Sequence, residues 1–387
     1  MRKNASHISI ETPICVSPTI SARPERPTAS KMFSKLWTPP GEWYLDSAQG
    51  RLYYLPMPGE SIDSIEVVAP YLRTLLEITG GKLEKVPGQK ILNSHPHLVF
   101  RGLAFSRTEW PEPQSLATIG QSAPMVPGAI SLSDAHHVAF EQCTLAHIGT
   151  YGIAFEEKCW DNRVSGCAIE DMGAGGVKIW HGCGRNTVED CDIGNGGHLF
   201  PPAAGVLIGD APSNIVVHNN IHDFFYSGVS VGWLWGYDEN QSGGNIIEWN
   251  HVHHLGKGKL SDMGGIYTLG MQAGTRLRYN LIHDIWSRTY GGWAIYPDEG
   301  SNHLLIENNI CYDTKCAPFH QHYGFEEWQS SGQDAHSIVA DPKFADLNAR
   351  EFTLASDSPA ISLGFVPFDL SDAGPRPQTR TSSHTNL

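Results

Sequence analysis

The chain has 387 residues, enough to bury a large core as one elongated domain or two ordinary ones. Forty glycines, twenty-five prolines and only 18% charged residues favour strands and turns over long exposed helices. A formal net charge of −14 without a sustained basic run argues against a nucleic acid partner, and no apolar run approaches the roughly 18 residues that predict a membrane span.

The N-terminal segment does not have the pattern of a secretion signal. Arg2 and Lys3 are followed by Ser, Thr and Pro, without the apolar core of about 7 to 15 residues that such a signal requires. We expect residues 1–36 to be poorly structured and residues 375–387 to be a disordered tail. Residues 37–324 are predicted to form the main domain, and residues 325–374 to close it.

The cysteines are periodic. Cys143, Cys167 and Cys191 are spaced by 24 residues, and so are Cys159 and Cys183. This regularity indicates a structural repeat rather than a set of disulfides. Further along the chain, Asn takes the same slot within the pattern of apolar strand, Cys or Asn, one residue, then Ile, Leu or Val. The predicted column consists of Cys143, Cys167, Cys191, Asn219, Asn250, Asn280 and Asn308.

A glycine that opens a short apolar strand is the second marker of each repeat. It is found at Gly152, Gly176, Gly205, Gly228, Gly265 and Gly292. Short strands and turns with this period are typical of a β-solenoid, in which each coil buries its apolar face only by stacking on its neighbours. The sequence therefore predicts an all-β fold, a right-handed parallel β-helix of about 24–31 residues per coil.

Stacking also accounts for the polar columns. Asn at a tight turn bonds to neighbouring backbone and to the next Asn in its column. The same explanation covers His222, His253 and His283, which occupy one slot in three successive coils. We therefore predict no metal site and no cofactor.

Two coils carry insertions, and bulging turns are where a solenoid can hold a binding site without disturbing its stack. One insertion contains Trp233, Trp235, Tyr237, Asp238 and Glu239, and the other contains Lys257, Lys259 and Asp262. From Gly228 to Tyr323, carboxylates and aromatic residues are concentrated, which suits sugars because rings stack on C–H faces while hydroxyls need polar partners. Two carboxylates are the minimum for glycoside hydrolysis. The alternative is that these aspartates cap turns and the tryptophans cover the solenoid.

Several long motifs in this region resemble one enzyme family. LSDMGGIYTLG (260–270), YGGWAIYPDEGS (290–301), FHQHYG (319–324), DPKF and SPAISLGFVPFDLSDAG (341–374) are similar to the parallel β-helix proteins of glycoside hydrolase family 141. The resemblance implies an enzyme that degrades polysaccharides or oligosaccharides, α-L-fucosidase-like or xylanase-like, and secreted or periplasmic. It implies Asp262 and Asp298 as the catalytic pair. The expected substrate-binding residues are Trp233, Trp235, Asp238, Glu239, Tyr267, Trp293, Tyr296, Glu299, His320, His322 and Tyr323.

The repeat register does not by itself bring the two aspartates together. Asp262 lies three residues before Gly265 and Asp298 six after Gly292, which is nine positions along the coil and up to about 30 Å of extended strand. Only a loop folded back over the strand face would pair them. Asp238 and Glu239 are the alternative partners of Asp298.

The chain departs from the family pattern in two ways. After FHQHYG the chain passes directly to the DPKF segment, so we expect it to be an internally shortened member, and it lacks the expected secretion signal.

Two other function classes remain open. A polysaccharide lyase would need a Lys or Arg base, for which Lys257, Lys259 and Arg288 are the candidates, and usually Ca²⁺. A sugar-binding β-helix without catalysis is the third class.

Overall fold

The computed structural model describes residues 6–9, 40–46, 49–61, 63, 65, 67–80, 97–109, 120–320, 325–332, 337–346 and 349–376. The chain forms two compact units, residues 1–73 with 107–118 and residues 74–106 with 119–387. In the first unit, β1 (Ser6–Ser9), β2 (Trp43–Asp46) and β3 (Arg51–Tyr54) form an antiparallel sheet in the order β1-β3-β2.

The second unit is a solenoid whose described residues form three parallel sheets of eight strands each. The first sheet contains β4 (Leu76–Thr79), β7 (Gly128–Ser133), β10 (Tyr151–Glu157), β13 (Val177–Ile179), β16 (Val206–Ile208), β19 (Val229–Val231), β22 (Gly264–Thr268) and β25 (Trp293–Pro297). The second contains β5 (Leu98–Arg101), β8 (Val138–Glu141), β11 (Arg163–Ser165), β14 (Thr187–Glu189), β17 (Ile215–Val217), β20 (Ile246–Glu248), β23 (Arg276–Arg278) and β26 (Leu305–Glu307). The third contains β6 (Ala104–Ser106), β9 (Thr144–Ile148), β12 (Ala168–Met172), β15 (Asp192–Gly194), β18 (Asn220–His222), β21 (His251–Leu255), β24 (Leu281–Ile285) and β27 (Ile310–Thr314). Every third strand pairs in parallel, which confirms the predicted parallel β-helix.

The core is a set of apolar columns inside the three sheets. In the first sheet, successive coils place side chains at one register that are almost completely buried: Ile130, Ile153, Val177, Val206, Val229, Ile266 and Ile295. Each fully buried aliphatic side chain contributes about 1.5–3 kcal/mol relative to exposure. A single coil exposes this surface on both sides, so the fold depends on stacking.

The Cys and Asn column exists, with a correction in its last coil. The Asn280 backbone N–H and side-chain amide both donate to Oδ1 of Asn309, each at 3.0 Å, and not to Asn308. Asn308 instead has a left-handed backbone (φ 54°), as do Trp249 and Tyr279 at the equivalent positions of earlier coils. Asn tolerates this conformation better than most residues, so two adjacent asparagines made the register ambiguous.

The glycine column also changes residue in the last coil. Gly264 pairs with Trp293, so the slot of Gly265 is taken by Ala294 and not by Gly292 as predicted. A Cβ at Gly265 would lie 2.5 Å from Cγ2 of Ile282. In the next coil Cys311 replaces that isoleucine, and the smaller side chain leaves room for the methyl group of Ala294.

The C-terminal segment packs against the solenoid. It contains α1 (Phe325–Ser330), the antiparallel pair β28 (Phe344–Asp346) and β29 (Glu351–Leu354), and α2 (Pro359–Ser362), capped by Ser358. Residues 366–376, here called the C-terminal strap, then run back along the stack. Contacts along the strap join Val366 to Asn308, Phe368 to Tyr279 and Trp249, Asp372 to His218, and Arg376 to Asp190.

Candidate active site

The outer face of the first sheet becomes aromatic in its last two coils. Its outward-facing register runs through Ser131, Ala154, Lys178, Leu207, Ser230, Tyr267 and Tyr296. From Ala154 onward these side chains are nearly inaccessible to solvent, although they lie outside the solenoid core. Tyr267 and Tyr296 belong to a second apolar cluster with Leu269 and Trp293. The hydroxyls of these two tyrosines contact the two aspartates of the candidate site.

A segment formed by residues 120–127 covers the earlier coils of this face. Lys178, 2% exposed, donates from Nζ to the carbonyls of Pro124 and Val126 at 2.9 and 2.8 Å. Burial lowers the pKa of Lys178, and Glu156 at 3.0 Å opposes that shift. The far end of the segment reaches the aromatic coils, because the side chain of Gln121 is near enough to the Tyr267 hydroxyl to lower its pKa against the larger effect of burial.

Asp262 and Asp298 lie at opposite ends of this tyrosine pair. The Tyr267 hydroxyl donates to Oδ2 of Asp298 at 2.5 Å, and the Tyr296 hydroxyl donates to Oδ1 of Asp262 at 2.9 Å. The two rings are perpendicular, with centroids 5.1 Å apart. Asp298 follows β25 directly, whereas Asp262 precedes β22. The corrected glycine register separates them by seven positions rather than nine, and the tyrosine side chains span that gap.

The tyrosines are held in their neutral, donating form. Burial, followed by the hydrogen bond to Asp298, raises the pKa of Tyr267. Burial and the bond to Asp262 raise the pKa of Tyr296, and the negative charges of both aspartates add to that shift. Both charges also raise the pKa of Tyr226, after burial, while its hydroxyl donates to the carbonyl of Asp262. The two carboxylates therefore act electrostatically on the same phenols.

The remaining predicted aromatic residues of the last coils form the floor of the site. Trp293 packs 4.4 Å from Tyr296 and 4.4 Å from His320, measured between ring centroids, and Nδ1 of His320 lies 3.1 Å from the carbonyl oxygen of Pro297. Trp293 is 7% exposed and His320 is 9% exposed. Their contacts support Tyr296 from beneath. His322 and Tyr323 lie outside the described residues.

The loop formed by residues 233–240 carries the predicted tryptophan and carboxylate residues and leans over the following coils. The carbonyl oxygens of Leu234 and Gly236 lie against Gly270 and Gly300, where an added Cβ would be 2.4 and 1.9 Å away. The loop thereby reaches the turn that contains Asp298. Its exposed side chains include Trp235, Asp238 and Glu239, and Glu299 is exposed on the turn itself.

Three residues near the pair were not predicted from the sequence. Tyr226 fixes the backbone of Asp262, Gln121 contacts Tyr267, and the half-exposed Tyr290 packs on Trp293 and accepts a hydrogen bond from the Asp262 backbone N–H through its carbonyl. Tyr226 stands two residues before the glycine marker Gly228, which is a usable sequence signal. Tyr290 has no such signal, because Ala294 and not Gly292 occupies the marker slot of its coil. Gln121 comes from a distant segment, and the repeat does not point to it.

The lysines proposed as lyase bases have other contacts. Lys257 forms an ion pair with Asp223 at 2.5 Å, and the Lys259 ammonium lies 4.0 Å from the centroid of the Phe225 ring. Within the described ranges, no group of three or more His, Cys, Asp or Glu side chains is placed to hold a metal ion.

Comparison with known proteins places the fold. The sequence model for a right-handed β-helix region matches residues 125–232. A solved structure titled a glycoside hydrolase aligns with a TM-score of 0.59 at 22% identity, covering 73% of this chain and 56% of that chain. The shared fold is the right-handed parallel β-helix.

Other solved structures are more distant. A complex of XylC with xylose has a TM-score of 0.39 at 12% identity, covering 63% of this chain and 47% of that one. The A-module of the mannuronan C-5 epimerase AlgE4 from Azotobacter vinelandii has a TM-score of 0.35 at 12% identity, covering 51% and 56%. The chain spans little more than half the length of the glycoside hydrolase structure. No curated protein sequence matches this chain. Among the described helices, none has the length and apolar character needed to cross a bilayer.

Proposed function

We propose that the protein is a glycoside hydrolase that uses Asp298 and Asp262 as its catalytic carboxylates. The observation that carries this proposal is that each aspartate binds the hydroxyl of one member of a single tyrosine pair, Tyr267 and Tyr296, on an aromatic outer face of the solenoid. Glycoside hydrolysis requires two carboxyl groups on either side of the scissile bond.

The proposal divides the two roles of glycoside hydrolysis between the two aspartates. Asp298 is half-buried and receives a hydrogen bond from Tyr267, so it suits the nucleophile or the base that activates water. Asp262 is exposed on a left-handed turn (φ 59°) and accepts a hydrogen bond from Tyr296; in this proposal it takes the remaining role, that of the acid that gives its proton to the leaving glycosidic oxygen. As the C–O bond breaks, either Asp298 takes a proton from a water molecule that forms the new bond to the sugar carbon, or Asp298 forms that bond itself and water, deprotonated by Asp262, then hydrolyses it.

The resemblance to glycoside hydrolase family 141 supports plant-type linkages, α-L-fucosidic or xylan, as first substrates. The glycoside hydrolase title of the structural neighbour is consistent with this class. The lyase alternative is less well supported, because Lys257 is engaged by Asp223. It would release an unsaturated product that absorbs ultraviolet light.

The test is hydrolysis of xylan and fucosylated oligosaccharides by the purified chain and by Asp298→Asn and Asp262→Asn. Removal of either carboxylate should lower the rate by about 10³ or more while sugar binding is retained. Asp313→Asn, on β27 of the third sheet, is the matched control and should leave the rate unchanged. Near-normal turnover by Asp298→Asn would contradict the proposal, and binding that survives loss of both carboxylates without any turnover in the wild type would indicate a sugar-binding protein.

A further inference from the structure

Three tryptophans form a row on the solenoid and its loop of residues 233–240. Trp180 follows β13 and lies 5.1 Å from Trp233, which lies 5.6 Å from Trp235, all measured between ring centroids. Trp235 is 50% exposed. Trp180 was not singled out by the sequence, since it lies on neither insertion.

Close packing fixes this row relative to Asp298. A Cβ at Gly209 would lie 2.3 Å from the Trp180 ring, so the indole lies directly on the next coil. The carbonyl of Gly236 is seated on Gly300, two residues after Asp298. At the other end of the loop, the carboxylate of Asp210 accepts a hydrogen bond from the backbone of Gln241 at 2.8 Å. Both ends of the loop are therefore anchored to the solenoid.

The distance from Trp180 to Asp298 along the solenoid is long compared with one sugar. The strand that precedes Trp180, β13, is separated from β25, which precedes Asp298, by four strand pairings through β16, β19 and β22. At about 4.8 Å per pairing, the coil of Trp180 lies about 19 Å along the solenoid from the coil of Asp298. An extended chain of several sugar units is needed to cover that length.

The charge of the surroundings selects the kind of chain. Asp238 and Glu239 are exposed on the loop, and Glu299 is exposed beside Asp298. The acidic groups near Asp298 disfavour a polyanion such as a polyuronate. The exposed indole of Trp235, with the half-buried indoles of Trp180 and Trp233 beside it, suits the C–H faces of neutral sugars.

We propose that Trp180, Trp233 and Trp235 form an extended binding surface for a neutral polysaccharide, so that the enzyme acts on long chains in preference to short ones. This inference rests on the proposed function for the position of bond cleavage, but not for binding itself.

The test measures kcat/KM on neutral xylo-oligosaccharides from the disaccharide to the hexasaccharide, and on xylan. In the wild type kcat/KM should rise with chain length. Trp235→Ala and Trp180→Ala should each lower kcat/KM about tenfold for xylan, which is a typical loss for one stacking ring, and leave the shortest cleaved substrate nearly unchanged. Trp43→Ala removes an exposed tryptophan from the first unit and should change neither. Melting temperatures of all variants establish that they are folded.

Binding to the Asp298→Asn variant separates this inference from the proposed function. Xylan should bind more tightly than polygalacturonate, and Trp235→Ala in that background should weaken xylan binding about tenfold. If no hydrolysis is found but this binding pattern holds, the surface stands and the proposed function fails. If hydrolysis is found but kcat/KM is independent of chain length, or Trp235→Ala reduces it equally at every length, the surface is refuted and the hydrolase stands. Tighter binding of polygalacturonate, or no binding of either polymer, also refutes it.

Discussion

The hydroxyl of Tyr267 lies 2.5 Å from Oδ2 of Asp298, so this carboxylate is oriented by a side chain from the preceding coil. Parallel stacking places Tyr267 beside Tyr296, and the latter contacts the other aspartate. Each tyrosine therefore contacts the aspartate of the neighbouring coil. A tyrosine in either coil consequently positions a group that its own coil does not supply.

Removing the Tyr267 hydroxyl should impair catalysis without impairing the fold. A hydrogen bond to a charged group contributes about 1.5–3 kcal/mol, so Tyr267→Phe should lower kcat about tenfold to a hundredfold with a small change in KM. Tyr279→Phe is the control, because the Tyr279 ring packs on Trp249 and Phe368 beside the second sheet. An unchanged kcat, or a loss that appears only in KM, would remove Tyr267 from the positioning role.

The asparagine column should carry stability. Asn250 is fully buried, accepts from the backbone N–H of Asn219 at 3.1 Å, and donates to the carbonyl of Val216 at 2.9 Å and to Asn280 at 3.1 Å. Asn250→Ala leaves several of these groups unpaired and should cost about 2–4 kcal/mol in denaturant unfolding. Asn308→Gly, at the left-handed position outside the column, should cost much less. Equal losses would show that the corrected register is wrong.

A stack of imidazoles on the third sheet predicts acid sensitivity. Burial, then neighbouring imidazoles, lower the pKa of His251 to about 4 and that of His253 to about 2. Nε2 of His251 lies 2.7 Å from Nε2 of His283, whose pKa is also lowered, chiefly by burial. Unfolded histidine titrates near about 6.5, so below that pH the unfolded chain binds more protons and stability falls.

The expected loss is up to about 1.4 kcal/mol per pH unit for each imidazole, from about pH 6.5 down to about pH 4 for His251 and further for His253. His222 acts in the opposite sense: burial lowers its pKa, but the partners Asp192 and Asp223 outweigh that effect and raise it, so its contribution is lost as pH rises. Unfolding measured near pH 7.5 and near pH 5 should show a smaller difference in His251→Gln than in the wild type. The exposed His303→Gln is the control, and an identical pH dependence in His251→Gln would contradict the assignment.

Gly300 should be needed for sugar binding as well as for the positive-φ conformation of its own backbone. Its φ is +75° and a Cβ would lie 1.9 Å from the Gly236 carbonyl, whereas Gly258 has φ +67° and nothing within 4 Å of a Cβ. Gly258→Ala should cost about 1–2 kcal/mol from backbone strain. Gly300→Ala should cost more and should also weaken binding of xylan, because loop 233–240 must move. Equal effects of the two substitutions on binding would show that the loop does not depend on this contact.

The period of the repeat predicted the coils but not their last member. Asn308 and Ala294 show why: two adjacent asparagines, and a cysteine replacing an isoleucine, change the occupant of a slot without changing the spacing. A second asparagine ladder, Asn162, Asn186, Asn214 and Asn245, has the same spacings as the first and was visible in the sequence. The pairing of Asp262 with Asp298 could not be derived from register, because it depends on the length and direction of tyrosine side chains.

The C-terminal strap changes how this stack can come apart. An open solenoid can lose coils one at a time from its end, and each loss requires only the contacts of one interface. Here Asp372 and Arg376 hold the strap at His218 and Asp190, several coils before the last one. Fraying of the last coils therefore requires the C-terminal strap to dissociate from coils near the middle of the stack. Amide hydrogen exchange across these coils should be governed by one shared opening event rather than by a gradient that rises inward from the end.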